Sequence, residues 1–291
     1  MLLCVGRIIY LCLLFSPLVA AWPLRGYKRF EEPWWSYCVF ATESAGALVI
    51  KLAQWASSRP DLFGEEVCER FKFLQDNTRP HGWAATQQAL DASLGAGWSD
   101  GLQLERTPIG SGCIAQVYRG SVREGDAARD DQTRQVAVKV IHPGVREVIE
   151  NDMALLRALG GALQSLPRLR WLNPKGMVDE FSKMLLMQLD LRVEAANLAT
   201  FRRNFATDGA PPEVIFPEPL PGYVSADVLV ESFVEGVPFL TWARAQKDDE
   251  AKHQVCNRGI DAVIKMLFLD NFVHGDLHPG NIFVTPAGVL V

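Results

Sequence analysis

The sequence predicts an α+β fold, a strand-rich middle bracketed by helical segments. Three observations carry this. Short β runs at residues 115–119, 136–141 and 228–233 read as strands. On either side of them, apolar residues recur at three- and four-residue steps, the helical period. After the last of those helices a polar loop, His274-Gly275-Asp276-Leu277-His278-Pro279-Gly280-Asn281, precedes another short strand at 282–284. Loops on such a scaffold are where reactive groups concentrate.

Composition narrows the class. Hydrophobic residues make up 48% and charged residues 22% of the 291, which is globular. The net charge is -5, and no basic run is interleaved with aromatics, so nucleic acid is not an expected partner. Cys4, Cys12, Cys38, Cys68, Cys113 and Cys256 form no C-x-x-C pair and read as reduced thiols. There is no internal repeat.

Four segments follow in order. Residues 1–22 are apolar apart from Arg7 and Ser16. This segment suits a secretory signal, a membrane helix, or an organelle presequence or buried helix. Membrane association is the favoured expectation, with Arg25, Lys28 and Arg29 as a basic flank. Residues 23–101 are a helical extension. It opens on Trp34, Trp35 and Tyr37, with helical patterns at 45–55, 61–75 and 80–98. Residues 102–236 hold the strands, a polar hairpin loop at 120–134, a helix at 145–166, and one long helical pattern at 177–205. There Phe181, Leu185, Leu189 and Val193 share a face. A Pro/Gly-rich connection occupies 208–221. Residues 237–291 contain a helix at 258–270, with Ile260, Val263, Ile264, Leu267 and Phe268 as its apolar face, then the polar loop and strands at 282–284 and 289–291.

The chemistry-bearing residues are polar groups in an ordered series. Phosphoryl transfer needs a carboxylate near the attacking oxygen and an oxygen ligand for Mg²⁺. Asp276 and Asn281, four residues between them, supply these types in kinase order. His274 reads as structural, orienting the loop. Upstream, Gly110-Ser111-Gly112-Cys113-Ile114-Ala115-Gln116-Val117 is a G-x-G-x-x-A-x-V run, in which glycines let backbone N–H groups approach phosphate. Alone it is a weak signal. It gains weight from Val136-Ala137-Val138-Lys139, one hairpin later, since a lysine in so apolar a strand needs an acidic partner. Glu194 on the long helical pattern is the expected partner. Asp190 is expected one turn earlier on the same face.

Together these residues resemble the aarF/UbiB family of atypical kinases, most closely the second eukaryotic type. Lys51-Leu52-Ala53-Gln54, continuing through 55–63, resembles that family's K-x-G-Q helix. The segment from Gln188 to Asn197 resembles its E-x-D segment and the glutamate of its helix C. The resemblance covers Lys51 to the end. It implies a protein-kinase-like fold, with a β-rich N-lobe, a helical N-terminal extension and an incomplete helical C-lobe. It also implies ATP and Mg²⁺ as cofactors and slow ATPase activity. The implied biology is support of ubiquinone biosynthesis or lipid homeostasis at a mitochondrial or plastid membrane, with membrane lipid or membrane-bound biosynthetic proteins as partners. By matching motif, Asp276, Lys139, Glu194 and Lys51 are the implied catalytic set. Gly110, Ser111, Gly112, Val117, Gln54 and Asp190 would line the nucleotide site, with Lys51 facing Asp190 and Asn281 on the metal.

The departures shape the alternatives. Ala53 stands for the signature glycine and Gln188 for an acid. The sequence stops at Val291, before the position where the family order places a second metal-binding aspartate, so a C-terminally truncated product or an incomplete gene model is expected. A small-molecule phosphotransferase shares the polar loop but not the 51–63 helix. A catalytically dead scaffold is the remaining alternative.

Overall fold

The computed structural model describes residues 2–57, 59–72, 80–123, 133–206, 213–275, 277 and 279–287. In chain order the elements are α1 (Leu2–Ala21), α2 (Lys28–Ala45), α3 (Ala47–Ser57), α4 (Pro60–Phe63), α5 (Glu65–Lys72) and α6 (Trp83–Leu94). There follow β1 (Leu102–Leu104), β2 (Gly110–Ser111), β3 (Ala115–Arg123), β4 (Thr133–Ile141), α7 (Val145–Gln164), α8 (Pro174–Met187) and α9 (Leu191–Asn204). The last are β5 (Pro219–Val224), β6 (Val228–Ser232), β7 (Val237–Pro238), α10 (Phe239–Ala245), α11 (Asp249–Ile264) and β8 (Phe283–Val284). They fall into two compact units. One comprises Met1–Ala89, Pro108–Gln116 and Ile141–Leu189; the other comprises Leu90–Thr107, Val117–Val140 and Asp190–Val291.

The first unit is helical. α1 is long and apolar enough to cross a membrane, by length and composition. One side of it is nevertheless tied to its neighbours by polar groups. The Arg7 guanidinium, the segment's one charge, grips both carboxylate oxygens of Asp152 on α7 at 2.6 Å and also reaches the Ala45 carbonyl. The Tyr10 hydroxyl donates to the Ser44 carbonyl, the Tyr37 hydroxyl to that of Leu14 and the Trp34 indole to that of Leu18. α2 occupies residues that the sequence showed only as aromatic-rich. It stops at Gly46, whose φ of 94° is open to glycine and strained for other residues, so the helix expected from 45 begins at Ala47.

The single helix expected over 177–205 is two helices. Asp190 breaks it. Its backbone is extended, and its carboxylate accepts from the Arg192 N–H as the N-cap of α9. A short acidic side chain that satisfies an orphan N–H competes well with continuing the helix, whatever the apolar period. Asp190 therefore does not share a helix face with Glu194.

The second unit is built on an antiparallel sheet in the order β1-β3-β4-β6-β5. β3 and β4 are longer than expected, while residues 124–132 of the predicted hairpin loop lie outside the described residues. Gly120 on β3 faces β1 so closely that a Cβ there would overlap the Gln103 carbonyl and the Leu104 side chain. β5 lies in the segment read as a Pro/Gly connection. It is an edge strand, where Pro219 and Pro221 are tolerated, and Gly222 at φ 84° accompanies a register shift.

α11 starts on the Asp248 cap and runs into a π-helical turn, Lys265–Leu269. The apolar face expected for this stretch is not the buried one. Ile260, Ile264, Leu267 and Phe268 are exposed, and Val255, Ala262 and Met266 are buried. Val255 packs with Val284, Phe239 and Trp242, which sets the helix's rotation, and the π turn then shifts its phase.

Candidate functional site

Lys139 lies toward the C-terminal end of β4, between the fully buried Val138 and Val140. Period-two alternation puts its side chain, with that of Ala137, on the other face of the sheet. There its Nζ lies 2.7 Å from both carboxylate oxygens of Glu194. Glu194 stands in the first turn of α9, where a negative charge also suits the helix dipole. α9 packs on β5 and β6 through buried Leu191 and Ala195, and the Leu191 N–H bonds the Ala226 carbonyl at 3.0 Å. The pair the sequence anticipated is thus bidentate and pre-aligned, with both partners still reachable from solvent.

A second acid, missed in the sequence, sits beside them. Glu231 on β6 is the register partner of Ala137. Burial, then the nearby Glu194 charge, push its carboxyl up to about 7, with Lys139 opposing. It gave no sequence signal because an acid in a short strand ordinarily points to water.

The glycine run is braced in the first unit by a chain of side chains. The Gly112 N–H bonds the Ala115 carbonyl at 2.9 Å, and the Gly112 carbonyl accepts from His142 Nε2 at 2.8 Å. His142 Nδ1 meets His81 Nδ1 at 2.6 Å, and His81 Nε2 meets the Thr86 hydroxyl at 2.9 Å. The carbonyl end decides every proton. His142 must carry its proton on Nε2, so its Nδ1 accepts; His81 then donates from Nδ1 and accepts at Nε2 from Thr86. Fully buried Gln116 completes the network by accepting from the His81 N–H at 3.0 Å and donating to its carbonyl at 3.3 Å. Burial, then His142, lower the His81 pKa to about 4. Burial lowers that of His142, against the Gly112 hydrogen bond. A Cβ at Gly110 would meet nothing within 4 Å, and at Gly112 only an ordinary contact, so folding itself does not demand glycine at either position. Val117 lies half-buried on β3.

Lys51 and Gln54 are half-buried on α3. Ala53, in place of the signature glycine, belongs with Ile50 to an apolar cluster against Val39, Phe71 and Cys113. Its methyl group is core material there. Asp190 is occupied locally: besides capping α9, it pairs with the Arg192 guanidinium at 2.7 Å.

Asp276 and His278 lie outside the described residues, as do residues 289–291. The approach to the loop is fixed by aromatic stacking. Phe272 and His274 lie 4.7 and 6.0 Å from the buried Phe201 ring, which also stacks on Phe216 at 4.8 Å. His274 thus has a packing role. Asn281 ends a short 3₁₀ turn, Pro279–Asn281. Just beyond it the Phe239 N–H bonds the Ile282 carbonyl at 2.8 Å, and β8 pairs with β7. Gly236 permits that pairing, since a Cβ would press on Phe283.

Sheet order, the strand lysine held by a helix glutamate, and the polar loop after a helix define a protein-kinase-like fold. Residues 73–291 match the family described as the ABC1 atypical kinase-like domain. The chain belongs to this family, which includes the aarF/UbiB proteins. It is 34% identical over 280 residues to a probable serine/threonine-protein kinase, abkC, of Dictyostelium discoideum, covering 96% of this chain and 39% of that protein. It is 33% identical over 303 residues to a mitochondrial ABC1 family protein of Saccharomyces cerevisiae, with 96% and 46% covered. Identity to a probable protein kinase UbiB of Edwardsiella ictaluri is 34% over 262 residues, with 89% and 46% covered. The chain therefore spans less than half of each of these relatives. A Mycobacterium tuberculosis protein solved in complex with erythromycin is similar in structure, with a TM-score of 0.56 and 27% identity over 82% of this chain and 56% of that one.

Proposed function

We propose that this chain carries the nucleotide-binding part of an aarF/UbiB-type atypical kinase or ATPase that takes Mg-ATP. The Lys139–Glu194 pair carries this reading. An ammonium held by one carboxylate, yet open to solvent, is arranged to meet phosphate oxygens without being lost to bulk water. Gly110 and Gly112 are assigned to phosphate contact by motif. Asn281 and Asp276 take the roles of metal ligand and catalytic carboxylate. Among the described residues no three His, Cys, Asp or Glu side chains form a metal cage. Mg²⁺ is usually held by one or two protein oxygens together with substrate phosphates. Bound Mg²⁺ would neutralise charge on those phosphates. Lys51, Gln54 and Asp190 are assigned to the same site by motif.

Ubiquinone biosynthesis or membrane lipid homeostasis is the biological setting we assign. Yeast relatives named as mitochondrial support the organelle, and apolar α1 supports membrane association. Transfer to a small molecule is the second reading, supported by the similar protein solved with erythromycin. A screen of hydroxyl acceptors with labelled ATP separates the two.

The decisive experiment is calorimetric titration with Mg-ATP. Lys139→Ala should weaken binding by about 1–3 kcal/mol, the cost of a lost charged hydrogen bond. Unchanged affinity removes Lys139 from the site.

A further inference from the structure

The sheet face that carries Lys139 also carries a carboxyl oxygen with no hydrogen-bond partner among the described residues. Glu231 pairs across the strands with Ala137, two residues from Lys139 on the same face, and Lys139 itself pairs with Leu229. On the other side Glu231 opposes Pro219 of β5. Part of the side chain reaches the surface, but Oε2 is closed off from water and has no hydrogen-bond partner among the described residues. The charged groups that act on it are Glu194 from α9 and Lys139 from β4, and those two already hold each other at 2.7 Å. A buried carboxyl oxygen without a hydrogen-bond partner, on the same sheet face as a strand lysine, is unusual in a folded protein and points to a group that completes it.

We propose that Glu231 reads the nucleobase, as a neutral carboxylic acid whose O–H and C=O together complement the amino and ring-nitrogen edge of adenine. This rests on the reading of the Lys139 face as a nucleotide site. A protonated carboxyl offers one donor and one acceptor side by side. Adenine presents an amino donor next to the N7 acceptor, whereas guanine presents two acceptors, O6 and N7, on the same edge. On that edge the neutral acid therefore matches adenine and mismatches guanine. Once ionised, Glu231 only accepts, and the adenine match is lost. Burial and the Glu194 charge keep the proton on near neutrality, so selectivity fades as the solution becomes alkaline.

The test measures affinities of the chain for Mg-ATP and Mg-GTP from about pH 6 to about pH 8.5, a range spanning the carboxyl's titration. The triphosphates titrate alike in both ligands, so their effect cancels in the ratio. The preference for ATP should fall about tenfold over this range in the wild type. Glu231→Gln, which keeps a donor and an acceptor at every pH, should hold a flat preference for ATP. Glu231→Leu should lose the preference throughout. Melting temperatures of the unliganded variants check that each is folded. If binding depends on Lys139 but the ratio ignores pH, or Glu231→Gln keeps the wild-type slope, the assignment of Glu231 fails alone. If Lys139→Ala binds Mg-ATP like the wild type, the nucleotide-site reading fails and takes Glu231 with it.

Discussion

Proton positions are decided residue by residue in the His81–His142 pair. With Gly112 accepting at one end and Thr86 donating at the other, the chain admits one proton between the two Nδ1 atoms. A second proton would set two N–H groups against each other at 2.6 Å. Both rings accordingly resist protonation, His81 until about pH 4. In the unfolded chain each histidine takes its proton near pH 6.5. Between those values the unfolded state binds more protons, so the stability from these neutral rings is present above about pH 6.5 and is lost as pH falls toward 4. His81→Phe should therefore show a smaller drop in melting temperature from about pH 7 to about pH 4.5 than the wild type. An equal drop would show that the pair does not couple folding to protons. The same residues explain a gap in sequence reading. His81 and His142 are 61 positions apart, and no local pattern announces that they touch.

Between elements, the Arg7–Asp152 pair links α1 to α7. Asp152 is 3% exposed and Arg7 18%, so the two charges depend on each other, and Arg7 also on the Ala45 carbonyl, for the hydrogen bonds water would otherwise supply. Removing one partner strands the other, which costs about 3–5 kcal/mol for buried pairs and less where one side reaches solvent, as here. Arg7→Met should lower the unfolding midpoint in urea and expose α1 to limited proteolysis. Arg7→Met with Asp152→Leu should recover part of the loss, because no charge is then left alone. If the single and double variants are equally unstable, the pair is not what holds α1. Element boundaries obey similarly local contests: Asp190 caps α9 and divides a helix that periodicity alone would continue.

For the whole molecule, the outward surface of α1 is the conspicuous feature. Leu13 and Val19 are 68% and 75% exposed, near Val5, Ile9, Trp22 and Tyr27, which are exposed too. Apolar side chains with aromatic residues at one end suit the boundary of a bilayer. Leu13→Asp with Val19→Asp should reduce co-flotation with phospholipid vesicles by about tenfold or more, given roughly 1.5–3 kcal/mol for each buried apolar side chain. Co-flotation at the wild-type level would exclude this face as the contact.

Much of this protein was determined by local sequence. The α+β class follows from runs with periods of two and of three to four residues. The kinase-like order follows from the glycine run, Val136-Ala137-Val138-Lys139, Glu194, and the loop from His274 to Asn281, because those chemistries tolerate few other residue types. Tertiary structure decided which faces are buried and which charges meet. α11 and its π turn bury Val255, Ala262 and Met266 in place of their more apolar stripe, since Val284, Phe239 and Trp242 pack against Val255. Arg7 finds Asp152, and Glu231 is turned toward Lys139, through packing between residues far apart in the chain. Periodicity reports what one segment prefers, whereas burial and pairing depend on what the remaining segments bring to it.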